Sequence, residues 1–176
     1  MRKDIRKVKG FVKKNLPDWF IKHHVKLVVA HSKWLCSFYP EADEEVVEIA
    51  AWLHDIVHPV GGYKGRAHEV ASAKEAEEFL NSINMSKEKI SKIVHCIKTH
   101  RTRKPPEPKT IEAKIVASAD NMAHFGRFEL LVKILGLEKA LQKLRRDLEA
   151  SFMLPEAREY AEKKMREIER KLKKLK

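Results

Sequence analysis

The chain has 176 residues, 43% apolar and 35% charged, with a formal net charge of +12. That is enough for one domain with a full core, and no run approaches the roughly 18 apolar residues a membrane helix needs. Two cysteines, Cys36 and Cys96, make no disulfide framework and suit a reducing cytoplasm. The basic N-terminus is followed by no apolar segment of the secretory kind. The positive excess favours anionic ligands. A solvated surface rich in Lys and Glu accounts for it equally well.

Taken in order, residues 1–16 place Ile5, Val8, Val12 and Leu16 at helical spacing and predict a surface helix docked on the body. Pro17 breaks it, and Asp18 is expected to cap the next helix, from about Trp19 to Phe38. There Ile21, His24, Val28, His31, Leu35 and Phe38 share a face, so His24 and His31 are both inward candidates. The third helix runs from about Glu44 to Val57, and its stripe Val47, Ala50, Ala51 leads to His54 and Asp55. Burying that pair is costly unless both side chains are satisfied, and a divalent metal would satisfy both. Pro59 and three glycines then predict a loop to Ala67, carrying Lys64 and Arg66.

His68 opens a fourth helix, to about Asn81. Ser86 caps a fifth, on which Ile90, Ile93, Ile97 and His100 share the buried face while His95 points away. A basic, proline-rich loop from Arg101 to Lys109 includes Arg103. The sixth helix, about Thr110 to Phe125, sets Asp120 on the stripe Ala113, Val116, Ala117, and an unpaired carboxylate there again asks for a cation. Gly126 ends it. Helices over about 137–150 and 155–175 complete an all-α bundle of seven or eight helices, with no period-two alternation. The last, with Ala157, Ala161, Met165 and Ile168 in one row, is either a lid on the core or a contact between copies of the chain.

His24, the adjacent pair His54-Asp55 about 30 residues on, and the distant Asp120 resemble the HD-domain superfamily of metal-dependent phosphohydrolases. So do the lead-in Ala50-Ala51-Trp52-Leu53 and the segment Thr110 to Val116. The resemblance covers about residues 18–126 and implies a single domain, 1–176, with the terminal helices packed on that core. It implies that His24, His54, Asp55 and Asp120 hold one metal, and that His68 and His100 hold a second or contact substrate phosphate. Asp55, His68 and His100 are then the catalytic residues.

Mixed His and carboxylate ligands suit Mn, Fe, Co, Ni or Zn better than Mg, as one ion or two. Such an ion lowers the pKa of bound water and polarises phosphorus. Lys64, Arg66, Arg101 and Arg103 are candidates to neutralise the phosphate. The sequence departs from the superfamily at Val57-His58, where Gly-Lys or Gly-His is common, and at Asn121-Met122. The expected function is hydrolysis of a nucleotide or similar small phosphoester in the cytoplasm. The alternatives are a basic nucleic-acid-binding protein or nuclease, a nucleotide-binding protein without turnover, and a di-iron oxygenase.

Overall fold

The computed structural model describes residues 3–58, 67–101, 106–150 and 152–174. Among them the regular structure is all helix, with no strand. Helix α1 is Lys3–Asn15. Helix α2 is one continuous rod made of Asp18–Phe20, a π turn over Ile21–Val25, and Lys26–Cys36. Then come α3 (Glu44–Leu53), α4 (His68–Ser82), α5 (Lys87–Thr99), α6 (Ile111–Gly126), α7 (Phe128–Leu135), α8 (Leu137–Ala150) and α9 (Pro155–Lys173).

Local chemistry explains most boundaries. The Asp43 carboxylate accepts the backbone N–H of Glu45 at 3.0 Å and of Val46 at 3.2 Å, which starts α3. The hydroxyls of Ser86 and Thr110 cap α5 and α6 in the same way. Asp18 does not act as the expected cap: Pro17 holds that position, and Asp18 is the first helical residue. Proline has no N–H to satisfy and its fixed φ suits a helix entry, so no side-chain cap is needed.

Helices α2 and α6 pack side by side at the centre, with α3 and α5 against them, α4 on α5, and α1 across α3. Their common core includes Leu35, Ile49, Leu53, Leu80, Ile93, Ile97, Ile115 and Met122, each fully buried. A second cluster joins Phe125 of α6 and Leu131 of α7 to Ala140, Leu144, Ala161, Met165 and Ile168 of α8 and α9. Phe152 and Tyr160 touch both clusters. No described helix is long and apolar enough to cross a membrane.

Four expectations are corrected. Helix α2 stops at Cys36, so Phe38 lies beyond it and is 46% exposed, edge-on to the exposed Trp34. Helix α3 ends at Leu53, because Ile56 N–H bonds the Leu53 carbonyl at 3.1 Å and tightens the chain through His54 and Asp55. The stretch after Gly126 holds the additional helix α7, whose Phe128, Leu131 and Val132 face the second cluster. His95 is half-buried rather than exposed: its Nε2 accepts the Lys109 N–H at 3.2 Å and tethers the loop before α6.

Candidate metal centre

Three segments of the chain converge on one point. The π turn of α2 carries His24, the tight turn after α3 carries His54 and Asp55, and α6 carries Asp120. All four side chains are buried. A π turn widens the helix locally and is found mostly at functional sites; here it sets His24 inward while His23 stays exposed. The His24 Nε2 lies 3.2 Å from His54 Nε2, 3.2 Å from Asp55 Oδ2 and 3.3 Å from Asp120 Oδ1. The His54 Nε2 lies 3.4 Å from Asp55 Oδ2.

The other Asp55 oxygen faces elsewhere. Its Oδ1 is 3.3 Å from His68 Nε2 and 3.6 Å from His100 Nε2. One carboxylate is therefore shared between His24, His54 and Asp120 on one side and His68 and His100 on the other. His68 opens α4 and is partly exposed, whereas His100 is buried just beyond α5.

The hydrogen bonds fix which ring nitrogens face inward. His54 Nδ1 lies 2.9 Å from the Ala51 carbonyl and His100 Nδ1 lies 2.7 Å from that of Ile97. A carbonyl only accepts, so each Nδ1 donates, and each neutral ring turns its Nε2 lone pair toward the centre. This is the usual way a protein orients a metal-binding histidine. Lone pairs and carboxylate oxygens thus crowd together within 4 Å. A proton on His54 answers part of that crowding: burial opposes it, but Asp55 and Asp120 push the group up to about 9. Burial also opposes ionisation of Asp55 and Asp120, yet both are held well below the usual carboxylate range. For Asp55 the cause is His54 with hydrogen bonds from His24, His54 and His68; for Asp120 it is His124, His24 and His54. A divalent cation answers the whole set, and the atoms of His24, His54 and Asp120 lie close enough together to hold one.

His31, the other inward candidate of α2, is not in the cluster. It is half-buried against the Tyr160 ring, 4.9 Å away. Arg101 comes beside His68 through Glu69, whose carboxylate is 3.0 Å from the guanidinium and 3.9 Å from His68 Nδ1. Lys64, Arg66 and Arg103 lie outside the described residues.

Two residues at the centre, and one outside it, escaped sequence reasoning. His58 lies 3.8 Å from Asp55 Oδ2 and stacks on Phe20; burial, with the neighbouring histidines, takes it down to about 4. Its signal was present, three residues after Asp55 at the point of departure from the superfamily pattern. His124, one turn beyond Asp120, is buried with Nδ1 3.0 Å from Asp147, which also meets Lys143 at 3.0 Å. Arg127 sits half-buried two turns beyond Asp120.

A family model for the HD domain matches residues 21–124, more than half of the chain and the span that carries every residue of the cluster. A crystal structure of a predicted HD superfamily hydrolase from an uncultured Thermotogales bacterium has the same fold. It superposes with a TM-score of 0.72 at 21% identity, over 97% of this chain and 90% of that one. No curated protein matches the chain. From its matching segment and the histidines and aspartates gathered there, the chain belongs to the HD-domain family.

Proposed function

We propose that the protein is a metal-dependent phosphohydrolase acting on a small phosphoester, with one or two divalent transition-metal ions in the cluster. The observation that carries this reading is the shared carboxylate of Asp55, with one oxygen toward His24 and His54 and the other toward His68 and His100. In this reading His24, His54, Asp55 and Asp120 hold the first ion, and Asp55, His68 and His100 hold the second. His and carboxylate donors suit Mn, Fe, Co, Ni or Zn better than Mg. A bound ion supplies Lewis acidity toward water and a phosphoryl oxygen.

The residues of the chain do the rest. Ala51 and Ile97 hold the rings of His54 and His100 in one tautomer through their carbonyls. Asp55 fixes the spacing of the two groups. His68, partly exposed, is placed to pass a proton between solvent and a bound ester. Arg101, oriented by Glu69, offers charge to a phosphate oxygen on that side. Lys64, Arg66 and Arg103 belong to the same proposal as further positive charges for the phosphate.

The test is metal analysis of the purified protein, then a phosphoester and nucleotide screen with Mn, Co, Ni or Mg added. Bound transition metal and metal-dependent release of phosphate are expected. His54→Ala and Asp55→Ala should lose both metal and turnover. Full metal content in Asp55→Ala would remove the basis of the assignment.

A further inference from the structure

A cleft of about 470 Å³ opens between α2 and the start of α7. Lys22, His23, Arg127 and Lys133 line it, with Leu27 and Leu130 as apolar walls. Among the described residues, neither the two lysines nor Arg127 has a carboxylate within ion-pairing distance. Arg127 Nε is shielded from solvent and has no hydrogen-bond partner. The one acidic side chain in the lining, Glu129, is turned 3.7 Å from Lys171 outside the cleft. A shielded guanidinium donor left unmade is costly, and an anion is what would satisfy it.

The cleft lies beside two elements that carry the metal centre, the π turn through His23 and α6 through Gly126. His23 precedes the proposed ligand His24 on the π turn. Arg127 is the cap residue just past the end of α6, seven residues and about 10 Å along the chain's helical rise beyond Asp120. Burial lowers the Arg127 pKa, and the charges of Asp120 and Asp55 act against that shift, so the guanidinium lies within electrostatic reach of both carboxylates.

We propose that this cleft binds a second anionic group of the substrate, a phosphate set several ångströms from the one at the metal centre, with Arg127 as the inner donor and Lys22 and Lys133 at the rim. The substrate class narrows accordingly to doubly phosphorylated small molecules of nucleotide size, for which the cleft has the volume. This inference rests on the phosphohydrolase reading.

Two probes that differ only in the second phosphate test it: adenosine 5′-monophosphate and adenosine 3′,5′-bisphosphate, titrated calorimetrically in the cold into the manganese-loaded protein. The bisphosphate should bind about tenfold tighter or more. Arg127→Gln, and separately Lys22→Gln with Lys133→Gln, should abolish that advantage, leaving monophosphate affinity and metal content unchanged. Equal affinities in the wild type, or an advantage that survives both variants, would overturn the cleft assignment. Inorganic phosphate separates the two levels. If it binds in a metal-dependent way while the bisphosphate gains nothing, the cleft alone is wrong; if none of the three binds, the phosphohydrolase reading falls with it.

Discussion

At the scale of single residues, the histidines divide by what their second nitrogen does. Those of His54 and His100 are committed to backbone carbonyls, so the first cannot turn away from the centre and the second cannot turn from Asp55. His95 instead spends its Nε2 on the Lys109 N–H, far from any carboxylate of the cluster. His68→Ala and His100→Ala should therefore lower kcat by roughly 10²-fold or more while the metal at His24, His54 and Asp120 stays. His95→Ala should keep kcat and cost about 1 kcal/mol of stability through the lost loop tether. Steady-state kinetics, metal analysis and denaturant titration on the three variants check this; a His95→Ala protein as impaired as His100→Ala would contradict it.

At the scale of elements, the order Ile90, Ile93, Ile97, His100 predicted the inward face of α5 correctly, because nothing interrupts that helix and period 3.6 holds along it. The same rule could not separate His24 from His31, since seven residues are two turns. Resemblance pointed to His24, and the structure sets His24 in the cluster and His31 elsewhere. The π turn itself is not legible in the sequence: no residue of Ile21–Val25 is a helix breaker, and nothing in their types marks an extra residue in the winding. Gly126 ends α6 as expected, and α7 is legible directly after it in Phe128, Leu131 and Val132 at helical steps. His58 was seen only as a departure from pattern, because its nearness to Asp55 arises from the tight turn after α3.

The joint between α2 and α9 also carries a pH dependence. His31, packed on Tyr160, is lowered to about 4 by burial and by Lys164. Between that value and its ordinary 6.5 the unfolded chain binds more protons, so stability is present above pH 6.5 and is lost as the pH falls toward 4. Allowing for solvent screening, His31 should contribute about 1–2 kcal/mol to that loss. His31→Phe should be less sensitive to acid by that amount in denaturant titrations at several pH values, with its metal content unchanged. An identical pH profile would show that His31 does not titrate across folding.

For the whole molecule, the two apolar clusters share Phe152 and Tyr160, so neither can open without exposing a face of the other. The chain should therefore unfold in a single transition, as one domain would. An ion held by side chains from α2, the turn after α3 and α6 is bound only when all three are in place, so binding adds to folding free energy. At a hundredfold excess over its dissociation constant the gain is about 2.7 kcal/mol. For a chain of this size that is a rise in Tm of roughly 5–10 °C, reversed by a chelator. Calorimetry with and without Mn measures it. Two separate transitions, with metal moving only the first, would mean that α7 to α9 fold apart from the site.

The π turn has a further consequence, for chain length. An α-helix advances about 100° per residue, and a π turn is an α-helix with one residue too many. Everything before Ile21 is therefore aimed by that surplus residue. Helix α1 depends on the aim: Lys9 lies over the Trp52 ring and 3.7 Å from Glu48, and Phe11 stacks on Phe79. Deleting the exposed Lys22 should let α2 relax into regular winding and swing the preceding chain about 100° around it. Helix α1 would then lose Trp52 and Phe79 together. Such a deletion should cost several kcal/mol, whereas Lys22→Ala, at the same exposed site, should cost under 0.5 kcal/mol. In the natural variation of such chains, length changes should accumulate before α1 and after α9 and be purged between Pro17 and His24.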